Sequence, residues 1–238
     1  MKSMKNMKNK PIIGIVGRSD ISSEDYNVIC CFESVRRSIV KKDAIPILIL
    51  PNQDLEYELS RPSEIERLTL EQKEDLKKVI NLCDGIVMPC TYKLFEYDRF
   101  IYEYAKELDI PILGICGGMQ LMGLVDNDSK EVLVKNNTDI NHLKKGEKYV
   151  HKLDIIDNTL LSKIINKKEI EVNSRHSFHL DKVKDISVSA YSKDGFIEAV
   201  EVRNKRFILG IQWHPESMIE YDEDANKIFD AFIKSCKI

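Results

Sequence analysis

The chain has 238 residues, 43% of them hydrophobic, enough for one domain with a sizeable core. Its 36 basic and 39 acidic residues leave a net charge of −3, which gives no electrostatic footprint for nucleic acid or a membrane surface. No apolar run reaches the length of a membrane helix, and six cysteines without paired spacing argue for free thiols in a reducing cytoplasm, not a disulfide framework.

Residues 1–10 carry a repeated Met-Lys pattern with no apolar segment of signal length after it, and read as a disordered tail. An apolar run over 12–17 predicts a strand. The spacing of Val28, Phe32, Val35 and Ile39 predicts a helix over 25–42. A second strand follows at 46–50, then a polar segment over 52–68 with Pro62. Thr69-x-x-Gln72 is a capping box for a helix ending near Leu82. A strand over 85–89, a helix over 94–108 and a strand over 111–115 complete the first half. Such alternation predicts an α/β fold with a doubly wound, mostly parallel central sheet flanked by helices. After the polar stretch 126–148, residues 150–155, 168–173, 186–190 and 196–202 read as additional β-strands in the C-terminal half. A strand over 207–211 and a helix over 222–236 end the chain. No linker divides it, so residues 11–238 read as a single domain.

Gly114-Ile115-Cys116-Gly117-Gly118-Met119-Gln120 joins the strand over 111–115 to a helix. Such a turn lifts a nucleophile above the end of a sheet, and a helix N-terminus favours thiolate over thiol. A lone cysteine is more often inert and buried. A second motif changes the balance: Gly210-Ile211-Gln212-Trp213-His214-Pro215-Glu216 supplies a base, His214, and an orienting carboxylate, Glu216. His-Pro-Glu alone is an ordinary loop; with the cysteine elbow it is specific. Trp213 reads as packing beside the base.

These motifs resemble the class I glutamine amidotransferase superfamily, and more closely its γ-glutamyl-γ-aminobutyrate hydrolase branch. The resemblance spans nearly the whole chain. It takes in Lys10-Pro11-Ile12-Ile13-Gly14-Ile15, Ala44–Pro51, Asp84-Gly85-Ile86-Val87-Met88-Pro89, Val172-Asn173-Ser174-Arg175-His176-Ser177 and Asp194-Gly195-Phe196-Ile197-Glu198-Ala199. It implies a catalytic triad of Cys116, His214 and Glu216, with oxyanion donors at Gly117 and in the loop of Cys90 and Thr91. One departure stands out: Pro89-Cys90-Thr91 replaces the family's Pro-Gly-Gly or Pro-Gly-Ser. A Cβ there restricts φ and would tilt the donor. The following segment, 92–98, is also short, which would leave the cleft open beyond the scissile bond.

By the same resemblance Gln120 supports the glutamyl group or the oxyanion loop, or else is a partly exposed helix glutamine. His176 and Ser177 contact the ends of a glutamyl group, largely through backbone, or else form a polar turn. Arg175 and His179 are weaker candidates for a carboxylate. His142 lies in a polar loop and His151 at a strand start, so no metal is assigned, and no cofactor is implied.

The expected activity is cysteine-dependent cleavage of a small γ-glutamyl compound through a γ-glutamyl thioester. Two alternatives stand beside it: a glutaminase subunit supplying ammonia to a synthase partner, and a triad-bearing binding protein weakened by the altered loop. A homodimer stays open.

Overall fold

The computed structural model describes residues 10–55, 67–91 and 93–237. Of the expected tail over 1–10, residues 1–9 lie outside the described residues, as do Pro62 and Tyr92, while Lys10 pairs with Asp43 at 2.6 Å. Among those described, no helix is long and apolar enough to cross a membrane.

The first half contains β1 (Ile12–Val16), β2 (Arg18–Ile21), β3 (Asn27–Cys30), α1 (Glu33–Lys41), β4 (Ile45–Ile49), α2 (Leu70–Ile80), β5 (Gly85–Met88), α3 (Glu96–Glu107), β6 (Ile112–Ile115) and α4 (Gly117–Asp126). The second contains β7 (Leu133–Lys135), β8 (His151–Ile155), α5 (Leu160–Ile165), β9 (Glu169–Val172), β10 (Phe178–Leu180), β11 (Ser187–Ser192), β12 (Ile197–Glu201), β13 (Ile208–Ile211) and α6 (Glu223–Ser235). The sheet runs β4-β1-β5-β6-β13-β12-β11-β8-β9. Its first five strands are parallel, and from β13 to β12 onward every pairing is antiparallel. β10 and β7 branch off β12.

The parallel strands read as unbroken apolar runs because both faces are covered. Ile13, Ile15, Val87, Leu113, Ile115, Leu209 and Ile211 pack with α1, α5 and α6 on one face. Val16, Ile86, Met88, Ile112 and Ile208 pack with α2, α3 and α4 on the other. Successive residues thus serve opposite cores, as the two-residue period of a strand requires. The capping box at Thr69 forms as expected: its Oγ1 accepts from Gln72 N–H at 3.2 Å, and Gln72 Oε1 accepts from Thr69 N–H at 2.8 Å.

One expected helix is partly a hairpin. Residues 18–30 form β2 and β3, and α1 begins only at Glu33. The turn is set locally: Ser22 Oγ accepts from the N–H groups of Glu24 and Tyr26, and Asp25 adopts φ 62°. The apolar spacing of Val28 and Phe32 fits a helix face by coincidence. The short elements α5, β7 and β10 were also unexpected from the pattern, each being six residues or fewer.

Candidate active site

The carboxyl ends of β5, β6 and β13 converge, the usual ligand position in an open parallel sheet. Cys116 follows β6 as the N-cap of α4, with φ 53° and ψ −105°. A non-glycine residue rarely adopts that conformation, and such strain concentrates at functional positions. Surrounding backbone holds it: Cys116 N–H donates to the Ile211 carbonyl at 2.7 Å, and its carbonyl accepts from Gln120 N–H at 3.0 Å. The start of α4 lies against the loop after β5. A Cβ at Gly117 would stand 2.5 Å from the Thr91 carbonyl oxygen, and one at Gly118 only 2.0 Å from that of Met88. Only glycine permits that approach.

His214 follows β13. Its Nδ1 meets Glu216 Oε1 at 2.7 Å, while Nε2 has no hydrogen-bond partner among the described residues. The carboxylate therefore fixes the tautomer that leaves Nε2 to act. Asn173 clamps the backbone of the base, with Nδ2 donating to the His214 carbonyl at 2.9 Å and Oδ1 accepting from His214 N–H at 2.8 Å. One ring nitrogen of His214 and the sulfurs of Cys116 and Cys90 all lie within 4.8 Å of one another. Burial disfavours the imidazolium, but the charge and hydrogen bond of Glu216 and the nearby Cys90 outweigh it, and the net direction is upward.

The two thiols titrate as a pair. Cys90 is lowered to about 6 because its sulfur accepts from the Cys116 thiol, despite burial, and because it faces His214 and the Gly117 amide. Cys116 is raised, first by donating to Cys90 and then by burial. The pair thus gives up one proton easily and the second with difficulty. Cys90 keeps φ outside the left-handed region, so the loop carries no backbone strain there. Its sulfur, like that of Cys116, faces the Gly117 amide that was expected for the oxyanion.

The loop itself is firmly held. Arg18 Nη2 donates to the Pro89 carbonyl at 2.9 Å, and its Nη1 forms a buried ion pair with Asp98, which also accepts from Phe95 N–H at 3.1 Å. Thr91 Oγ1 accepts from Lys93 N–H at 3.2 Å.

Gln120 lines the cleft, but its amide nitrogen is committed inward, donating to the Phe178 carbonyl at 2.8 Å and to Gln212 Oε1 at 3.1 Å. Gln212 Nε2 in turn donates to the Cys116 sulfur at 3.5 Å. Gln120 thus reaches the nucleophile through Gln212. Trp213 is fully buried packing. A cavity of about 660 Å3 opens beside Cys116, lined in part by Lys93, Arg99, Arg175 and Ser177. The backbone of 175–178 borders it, whereas the His176 side chain is buried behind. His179 also turns away, stacking on Phe196 with centroids 3.7 Å apart.

The histidines left apart by the sequence reading are not apart. His142, His151 and His176 converge with Glu198 in a fully buried group. The earlier placement in a loop and at a strand start is correct along the chain, but the fold brings the side chains together. Asn173, Gln212, Arg18 and Asp98 carry no role in the sequence reading. Asn173 and Gln212 did stand inside the quoted motifs; nothing local marks Arg18 or Asp98.

The peptidase C26 family matches residues 11–216, and the chain belongs to that family. It is 28% identical to a glutamine amidotransferase-like protein of Rickettsia prowazekii, covering 97% of this chain and 99% of that one. It is 26% identical to γ-glutamyl-γ-aminobutyrate hydrolase PuuD of Escherichia coli, covering 98% and 96%. Of two CTP synthases that it also matches, the chain spans 35% and 48% of the length. The fold matches the glutaminase domain of Trypanosoma brucei CTPS with bound acivicin, at TM-score 0.65 and 18% identity, over 95% of this chain and 94% of that one.

Proposed function

We propose that this peptidase C26 member hydrolyses the γ-glutamyl amide bond of a small γ-glutamyl compound, with Cys116, His214 and Glu216 as its triad. The observation that carries the reading is the strained, backbone-held Cys116 within reach of a histidine whose tautomer is fixed by Glu216. The Cys116 thiolate attacks the γ-carbonyl carbon, forming a C–S bond and a tetrahedral oxyanion. Gly117 N–H and the Cys90–Thr91 backbone receive that oxyanion. Protonated His214 then donates through Nε2 to the leaving nitrogen as the C–N bond breaks, leaving a γ-glutamyl thioester. His214 next takes a proton from water, which adds to the thioester. Collapse breaks the C–S bond, releases glutamate and restores the thiolate.

The cavity suits a substrate with carboxylates at both ends. Lys93 and Arg175 line it, and Arg175 Nε is buried without a hydrogen-bond partner among the described residues, whereas Arg99 is paired with Glu103 and Asp128. We assign Arg175 to a carboxylate on the leaving amine, as in γ-glutamyl-γ-aminobutyrate, the substrate named by the E. coli relative. Ser177 and the backbone at His176 face the glutamyl half. Residues 11–238 act as one domain, and the free cysteines suit a reducing cytoplasm.

A second reading, a glutaminase subunit coupled to a synthase, draws on the likeness to CTP synthases and on the Cys90 sulfur facing the Gly117 amide where the oxyanion would bind. Rapid-quench intact-mass measurement on γ-glutamyl amides tests the chemistry. A γ-glutamyl adduct mapped to Cys116 supports both readings; no adduct on any amide, with substrate bound, leaves only a binding protein.

A further inference from the structure

Behind the cleft lies a buried group that the hydrolytic chemistry does not use. His142, from the 136–146 segment, His151 of β8, His176 ahead of β10 and Glu198 of β12 place their ligating atoms within 4.8 Å of one another. Glu198 Oε1 stands 3.5 Å from His142 Nδ1, 3.5 Å from His151 Nε2 and 3.4 Å from His176 Nε2. His142 Nδ1 and His176 Nε2 are 3.1 Å apart. A tetrahedral zinc with Zn–N bonds of about 2.0–2.1 Å holds its ligand atoms about 3.3 Å apart.

The tautomers point the same way. His142 Nε2 meets Asp194 Oδ2 at 3.0 Å, so that nitrogen carries the proton and Nδ1 is bare. His176 Nδ1 meets the Phe178 carbonyl at 3.0 Å, so its Nε2 is bare too. The nearest polar atom of His151 Nδ1 is the Lys152 carbonyl at 3.5 Å, which leaves Nε2 facing the group. The Ser174 hydroxyl cannot serve His142 Nδ1, because it donates to the His142 carbonyl at 2.8 Å. With both rings neutral, as metal ligation requires, two bare lone pairs confront each other at 3.1 Å. Both Glu198 oxygens and His151 Nε2 have no hydrogen-bond partner among the described residues. The four groups aim at a common centre and not at one another. A fully buried carboxylate with no donor is a severe liability, and a cation at that centre removes it.

We propose that His142, His151, His176 and Glu198 hold a structural zinc ion that fastens the 173–178 segment beside the catalytic base. The charges close: Glu198 and Asp194 together balance a divalent ion. Three imidazoles and one carboxylate in a tetrahedral, solvent-free setting suit Zn2+ over Mg2+ or Ca2+, which prefer oxygen ligands and higher coordination. Asp194 and the Phe178 carbonyl orient two of the imidazoles from outside, the arrangement usual for metal-bound histidine. With no open position the ion cannot activate water. Its task is to tie together four segments distant in sequence, including the one that carries Asn173, Arg175 and Ser177.

The full chain, expressed with added zinc and passed through gel filtration, is assayed for metal by mass spectrometry. Cys90 and Cys116, with His214, are a rival thiophilic site, so the Cys90→Ser/Cys116→Ser double variant is measured alongside. About one zinc per chain in both proteins is expected, with Glu198→Gln falling below about a tenth of that. Replacement of zinc by Co2+ in the wild-type chain needs no folded variant: visible tetrahedral bands without thiolate charge transfer are expected. Chelation should lower Tm by about 5–10 °C, restored by Zn2+. Metal below about a tenth per chain after reconstitution would overturn the proposal. So would metal lost in the cysteine double variant, or a cobalt spectrum showing thiolate ligation.

Discussion

The two walls of the catalytic cleft are built differently. On the base side His214 is fixed at every point: Asn173 grips its backbone twice and Glu216 grips its ring at 2.7 Å. On the oxyanion side Arg18 and Asp98 hold the loop equally firmly, yet a cysteine sulfur stands by the donor that a transition state would need. Rigidity is thus common to both walls, while the oxyanion wall carries a thiol where the base wall carries only its partners.

The largest way to break this picture is to remove the nucleophile. Cys116→Ala should lower kcat by at least about 10^3-fold with the fold intact, since triad members act as a unit. A residual rate above about a tenth of wild type, equivalent to roughly 1.4 kcal/mol of barrier, would remove Cys116 from the mechanism. On the base wall, His214→Ala should cost roughly 10–100-fold more in kcat than Glu216→Gln, because His214 moves the proton and Glu216 only orients it. The opposite order at neutral pH would reverse those roles.

A smaller effect sharpens the substrate assignment. Arg175→Gln should lower kcat/KM for γ-glutamyl-γ-aminobutyrate by about 10–100-fold, the worth of a charged hydrogen bond of about 1.5–3 kcal/mol, while sparing γ-glutamyl methylamide. Equal losses on both would place Arg175 in a general structural role.

The smallest change probes the other wall. Cys90→Gly should raise kcat by about tenfold by clearing the second sulfur from beside Cys116 and the Gly117 amide. It should also move the acid limb of kcat/KM. Activity needs the Cys116 thiolate, and Cys90 holds the Cys116 thiol up, first by accepting its hydrogen bond and then by its charge, so without Cys90 the limb moves to lower pH. An unmoved limb with unchanged kcat would mean that Cys90 merely fills space.

What was legible in the sequence follows from how local each signal is. The elbow needs its cysteine and glycines within five residues, and the His-Pro-Glu turn needs three, so Cys116 and the His214–Glu216 pair stood out as candidates. The Cys90 departure was legible as a lost glycine. Its consequence was not, because strain was expected where the structure instead places a sulfur. The hairpin over 18–30 was hidden because Val28 and Phe32 mimic a helical spacing. The His142, His151, His176 and Glu198 group was hidden for the opposite reason: its members come from four segments and share no spacing. One trace existed. His151 holds an inward position of an alternating strand, where a hydrophobic residue would ordinarily stand.

The central claim is that the lone chain is a hydrolase with its own γ-glutamyl amide substrate. Steady-state kcat/KM of the purified protein, without any partner, on γ-glutamyl amides of small amines and on glutamine, tests it most directly. The account predicts cleavage of the amides at least as efficient as that of glutamine, because the base wall is already assembled and the cavity admits a leaving group larger than ammonia. Near inertness on every amide, with glutaminase activity appearing only when a synthase is added, would contradict it and put the subunit reading in its place.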